Sequence, residues 1–313
     1  TKSKEQFEQG CSLFPPLQNA TISANLQPYI MTRQLRLALI ASFVAVVFLA
    51  GGWMNRAAIR DVWANATKPA LPAAQGYLPE QQETGNGKKE EGVAGKPVTL
   101  PPPDSVLPTP SGDPLTWEGA LPTETNLAVP FLLQAPHQNW DQPFEDACEE
   151  ASLIMVDAFY RGRTASYGAD EGAEAILEVV AFEDTTYGYN KDTDTQDVVN
   201  TAREHFGYET VLVRPLTSPE DMKRVLANGY PIIVPAYGKA LGNPNFRNGG
   251  PEYHMLVVKG YTKDGKWITN DPGTRRGADY VYSNDVLMNA IHSFNKQDMR
   301  KGAQEFIVVL PNS

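Results

Sequence analysis

The chain has 313 residues, a formal net charge of −10 and a charged fraction of 20%. An acidic excess of that kind argues against the electrostatic footprint of a nucleic-acid binder, which needs clustered Lys and Arg. Two cysteines, Cys11 and Cys148, separated by an apolar segment, exclude a disulfide framework and leave the redox compartment open.

Residues 1–30 contain no methionine and little apolar patterning, so they read as an unstructured upstream segment with the natural start expected at Met31. Arg33 and Arg36 follow, and then Leu37–Trp53 runs without a charge. At about 17 residues that run is close to the shortest helix that crosses a bilayer. Basic residues ahead of it stay on the cytoplasmic side and direct the remainder outward, although Arg56 and Arg60 beyond it pull the other way. Ala64-Asn65-Ala66 lies too far from the apolar core for a cleavage site, which favours a retained anchor over residues 31–60. Removal of the segment would instead make the protein secreted. Nearly half of the 25 prolines then fall between Lys68 and Pro122, in a stretch rich in Gly, Lys, Glu and Gln. Residues 61–125 therefore read as a Pro-rich linker, and 126–313 as one folded domain, expected to be monomeric.

Within that domain the spacing of Ala151, Ile154, Met155, Ala158 and Phe159 predicts a helix with Cys148 in its first turn. Unpaired N–H groups and the helix dipole favour a thiolate there, whereas Glu145, Asp146, Glu149 and Glu150 oppose one, so a nearby imidazolium is required. Further helices are expected near Ala169–Phe182 and Thr195–Phe206, and another opens at Ser218-Pro219, a capping residue followed by a first-turn proline. The pattern then changes to β-branched and aromatic runs at Tyr230–Pro235, Tyr253–Tyr261, Lys266–Thr269, Ala278–Tyr282 and Glu305–Leu310. Thr262-Lys263-Asp264-Gly265 supplies a tight turn between the second and third. Helices first and an antiparallel sheet afterwards make an α+β domain.

The hairpin brings His254, at the start of one strand, and Asp271, past the end of the next, to the same end of the sheet and within expected hydrogen-bond reach. With Cys148 at a helix start, these residues form the inventory of a thiol nucleophile, a general base and a group that orients the base. Gln134, Gln138 and Gln142 all precede Cys148 and are open candidates for an oxyanion donor. Trp140 beside them would line a cleft or pack.

Val129-Pro130-Phe131-Leu132-Leu133-Gln134, the helix opening Cys148-Glu149, the strand Tyr253–Tyr261 and Asn270-Asp271-Pro272-Gly273 together resemble the papain-like cysteine peptidases of the bacteriocin-leader-processing type, in their stand-alone bacterial form. The resemblance covers Val129 to Leu310. It implies a papain-like fold, a peptide or protein substrate, no metal or cofactor, and the roles nucleophile for Cys148, base for His254, orienting acid for Asp271 and oxyanion donor for Gln134. The chain departs from the Cys-Gly-Pro start of transporter-fused members, which sets it apart from double-glycine leader substrates. The same triad serves other acyl transfers, so a thiol amidohydrolase or transferase (peptidoglycan amidase or transglutaminase-like) is the alternative enzyme, and a non-catalytic surface-binding module the third reading.

Elsewhere, Asp192, Asp194 and Asp197 lack the central Gly and closing Glu of a calcium loop and read as a solvated loop. His137, His205 and His292 have no metal-ligand spacing and are expected to be structural or superficial.

Overall fold

The computed structural model describes residues 68–77 and 113–312. The anchor expected over 31–60 lies outside the described residues, and among those described no helix is long and apolar enough to cross a membrane. The chain divides at Pro69, and the unit described below begins at Ala70.

The unit is α+β, with helices α1 (Cys148–Tyr160), α2 (Ala169–Thr186), α3 (Thr195–Glu204), α4 (Pro219–Ala227) and α5 (Asn284–Ala290). Its strands are β1 (Thr125–Asn126), β2 (Val211–Pro215), β3 (Ile232–Tyr237), β4 (Tyr253–Tyr261), β5 (Trp267–Asn270), β6 (Tyr280–Tyr282) and β7 (Glu305–Val309). They form one sheet in the order β2-β7-β3-β4-β5-β6, and every pairing is antiparallel. The two-residue β1 pairs with Gly260 and Tyr261, beyond Val258, the last β4 partner of β3.

Local chemistry explains the element boundaries. Asp194 caps α3 by accepting from the N–H groups of Gln196 and Asp197, while the Asp197 carboxylate accepts from the Asp194 N–H. Two of the three aspartates that resemble a calcium loop are thus a reciprocal helix cap. Ser218 and Asp221 repeat the device at α4, with Pro219 at the first helical position. The Asp264-Gly265 turn closes β4 onto β5 with Gly265 at φ 78°, a left-handed conformation that costs glycine little. β2, β1 and α5 carry too short a pattern to be read in advance, and each is stabilised by its neighbours in the fold rather than by its own propensity.

Helix α1 packs on β4 from one side and on α2 and α3 from the other. Of its 13 residues only Asp157 is not buried. The one-faced amphipathic helix expected from spacing is therefore enclosed on every side, and Glu149 and Glu150, expected as helix-start acids, lie inside at 2% and 1% exposure.

Part of the segment read as linker belongs to this unit. Gln75 donates its N–H to the Asn126 carbonyl at 2.8 Å and accepts from the Ala128 N–H at 2.7 Å. Asn126 Nδ2 reaches the Pro72 carbonyl at 2.9 Å, and the Tyr77 ring lies edge-on to Tyr160, 5.1 Å between centroids.

The turn after β5 is the tightest part of the sheet end. Asp271 N–H donates to the Gly277 carbonyl at 3.0 Å, and a Cβ on Gly277 would stand 1.7 Å from the Asp271 carbonyl oxygen. Relieving that clash means opening the turn that carries Asp271, so Gly277→Ala is expected to destabilise the domain by about 1–3 kcal/mol. Denaturant unfolding measures this directly, and a parent-like midpoint would show that the turn yields without cost.

Candidate active site

His254 enters the site from the second position of β4 and Asp271 from the residue after β5. Val257 stands opposite Asn270 in the hairpin, which carries both side chains to one end of the sheet. His254 Nε2 and Asp271 Oδ1 are 2.8 Å apart, at 1% and 0% side-chain exposure. Nε2 bonded to a carboxylate is the protonated nitrogen, which leaves Nδ1 with the lone pair. A Cβ on Gly273 would stand 2.8 Å from His254 Cε1, so only glycine allows the turn to lie against the imidazole, and Phe246 covers the ring edge-on at 5.4 Å.

Asp271 is enclosed by donors. The Tyr282 hydroxyl donates to Oδ2 at 2.5 Å, the Gly273 N–H to Oδ1 at 3.0 Å and Asn243 Nδ2 to Oδ2 at 3.3 Å. Asn243 Nδ2 also reaches the Tyr282 oxygen at 2.8 Å. Burial alone would raise this carboxyl, but the charge and hydrogen bond of His254, the Tyr282 hydroxyl and the Gly273 N–H outweigh it and hold the group below its ordinary value. Burial, followed by the charge and hydrogen bond of Asp271, pushes the Tyr282 phenol far up, so it remains a donor.

Cys148 is free and buried at the start of α1. Its thiol donates to Glu149 Oε2 at 3.0 Å, and the Met255 backbone N–H, one residue from His254, bonds to the sulfur. No hydrogen bond among the described residues joins the sulfur to the imidazole. Burial, then the charge and hydrogen bond of Glu149 and the charge of Glu150, raise the thiol well above its ordinary value; the Met255 N–H opposes them. The resting sulfur is therefore a neutral thiol turned toward a carboxyl, rather than half of a preformed ion pair.

Gln134 is buried with its amide turned to the turn before α1. Nε2 donates to the carbonyls of Phe144 at 3.2 Å and Glu145 at 2.9 Å, and the Gln134 N–H donates to the Pro272 carbonyl at 3.1 Å. An amide has two hydrogens and both are taken, so in this conformation Gln134 ties the Cys148 turn to the Asp271 turn and offers no donor to an oxyanion. Gln142 is exposed and donates to Asp146 Oδ2 at 2.7 Å, and Trp140 lies under the Arg247 guanidinium at 6.0 Å. Both border the turn ahead of Cys148. His137 pairs with Asp170, His205 stacks on Phe182 and His292 bonds to the Gly302 carbonyl, all apart from the site. No cluster of three or more His, Cys, Asp or Glu among the described residues could hold a metal ion.

Sequence reasoning passed over Tyr282 and Asn243, and it read Glu149 as an acid opposing the thiolate without its burial. A tyrosine in a strand reads as core, and only tertiary contact shows where its hydroxyl points. Glu149 did carry a signal, since the apolar run Ala151–Val156 is broken only by Ser152 and implies a helix buried all round, its flanking acids included.

The chain matches the Peptidase_C39 like family over residues 126–299, which span the site from before Gln134 to beyond Tyr282. No curated protein matches it. Among solved structures it is similar to one from Bacillus anthracis named for a C39-like peptidase, at 16% identity and a TM-score of 0.40, covering 61% of this chain and 98% of that one. That likeness is too distant to carry an argument about the site. The family match takes in more than half of the chain and includes Cys148, His254 and Asp271, and this protein belongs to the Peptidase_C39 like family.

Proposed function

We propose that the protein is a thiol peptidase that hydrolyses peptide bonds through an acyl-enzyme on Cys148. The observation that supports this most directly is the enclosed His254–Asp271 pair, one residue along β4 from the Met255 N–H that contacts the Cys148 sulfur. A turn about the Cys148 side chain would carry the sulfur from Glu149 toward His254 Nδ1. The imidazole takes the thiol proton, and the sulfur attacks the substrate carbonyl. The Cys148 N–H at the start of α1 is positioned to receive the oxyanion, with the helix dipole adding to it. Protonated His254 then passes its proton to the leaving amine, and water, activated by the same ring, releases the acyl group.

Asp271 holds Nε2–H, so that Nδ1 faces the reaction in the correct tautomer. Gln134 serves by bracing the turn ahead of the nucleophile. Trp140 and Gln142 border that turn and would contact the substrate. The apolar run Leu37–Trp53 would hold the domain at the outer face of a membrane, and the substrate would be a peptide or protein met there.

Mass spectrometry of a peptide mixture incubated with the full chain tests this reading. Cys148→Ala is expected to abolish cleavage, and His254→Ala to lower it by about 10²–10⁴-fold. Cleavage persisting in Cys148→Ala would rule out the acyl-enzyme.

Tyr282→Phe removes the shortest donor to Asp271. The folded-state pKa of Asp271 is depressed, so its contribution to stability is present above the unfolded value of about 3.9 and is lost as pH falls through the folded one. The variant is expected to lose about 1–3 kcal/mol at neutral pH, and the gap to the parent should close in acid once Asp271 is protonated in both. A gap independent of pH would mean that Tyr282 acts by packing alone.

A further inference from the structure

Directly behind the nucleophile lies a group of carboxyls that the mechanism above does not use. Glu149 and Glu150 on α1 and Glu183 on α2 are 2%, 1% and 1% exposed. Glu149 Oε2 accepts the Cys148 thiol and Glu183 Oε1 accepts the Thr201 hydroxyl at 2.9 Å. Beyond these, the carboxyls meet only the backbone N–H groups of Glu149 and Glu150 and, between Glu150 and Glu183, each other, so no other side chain donates to Glu149 Oε1, Glu183 Oε2 or Glu150. No ion pair of the described residues reaches any of the three. Three carboxylates could not all be ionised here, because each would be desolvated and would repel the others.

Proton retention follows from that packing. Burial pushes Glu149 up to about 8, with Asp192 and Glu183 adding their charge and the hydrogen bonds from Cys148 and its own backbone N–H opposing. Burial likewise pushes Glu183 up to about 7 against the Thr201 hydrogen bond. Glu150 rises further, through burial and then the charges of Glu149 and Glu183. The other titratable groups facing this cluster are Asp184 on α2, Asp192 before α3, Asp197 on α3, and Tyr253 on β4. None of them supplies a fixed positive charge.

We propose that Glu149 is a catalytic residue beside the nucleophile: its neutral carboxyl accepts the resting Sγ–H hydrogen bond, and the Cys148 thiolate forms only while Glu149 keeps its own proton. The proposal rests on the thiol-peptidase reading above. When the S–H proton passes to His254 Nδ1, the bonding pair stays on sulfur and Glu149 neither gains nor loses a proton. Its carboxylic O–H instead rotates to donate to the new thiolate. Once Glu149 ionises, the sulfur loses that donor and meets a like charge. The site would therefore be limited on the alkaline side by a carboxyl.

The test is the pH profile of iodoacetamide alkylation of the full chain, read at the Cys148 peptide because Cys11 is also a thiol. In the parent, labelling is expected to stall above about pH 8, where the buried acid ionises. Glu149→Gln, which cannot ionise, should remove the stall and label at least tenfold faster at pH 9. Glu183→Gln removes a neighbouring charge and should move the stall to lower pH. A Glu149→Gln profile superimposed on the parent, or slower at every pH with an unchanged circular dichroism spectrum, would overturn the proposal. If Glu149→Gln does not fold, a stall that stays in place in Glu183→Gln overturns it equally. His254→Ala separates the two readings: labelling below pH 8 that is unaffected by its loss would defeat the Cys–His pairing, while the comparison of parent with Glu149→Gln still decides the role of Glu149.

Discussion

Helix α1 passes through the interior with water excluded from nearly its whole circumference, and the remaining features of the site follow from that enclosure. A helix start leaves N–H groups without intrahelical partners. In a buried one those groups must be met by protein or by substrate. The same enclosure desolvates the Cys148 thiol and brings Glu149 and Glu150 inside with it. Position and electrostatics therefore come from one packing decision, the seating of α1 between β4 and the pair α2 and α3.

Two buried acid environments result, only about one helix-to-strand distance apart, and they are handled in opposite ways. Asp271 is met by the imidazole, a phenol, an amide and a backbone N–H, and is held ionised. The Glu149, Glu150 and Glu183 group receives one thiol and one hydroxyl from the rest of the domain, and burial pushes all three carboxyls up. Hydrogen-bond supply, rather than burial, decides the charge state, since all four groups are almost fully enclosed. A contrast across Cys148 is the outcome: a carboxyl held low behind His254 and a raised carboxyl behind the sulfur.

Much of this was legible from local pattern. β4 shows through the apolar run Met255–Val258 and its aromatic ends, and Asp264-Gly265 identifies its hairpin partner, so the convergence of His254 and Asp271 needed nothing beyond strand geometry. The caps at Ser218 and Asp194 were equally local, though the second could also be mistaken for a loop of metal ligands. What stayed hidden depended on contacts between distant segments. Tyr282 and Asn243 meet Asp271 only after β6 and the loop following β3 have docked, and Gln134 spends its amide on carbonyls ten and eleven residues away. Glu149 was misplaced because acids in a first helical turn are usually solvated, and its fate is set by how many elements surround the helix rather than by the helix itself.

The docking of residues 72–77 on the domain alters what the Pro-rich stretch is for. Gln75 is hydrogen-bonded beside β1 and Tyr77 is wedged against α1, and the chain is again part of the same unit at Asp113. Residues on both sides of the stretch between Tyr77 and Asp113 thus belong to one unit. A cut between Tyr77 and Asp113 would leave residues 72–77 joined to the domain by main-chain hydrogen bonds and aromatic packing, a covalently cut but still assembled unit.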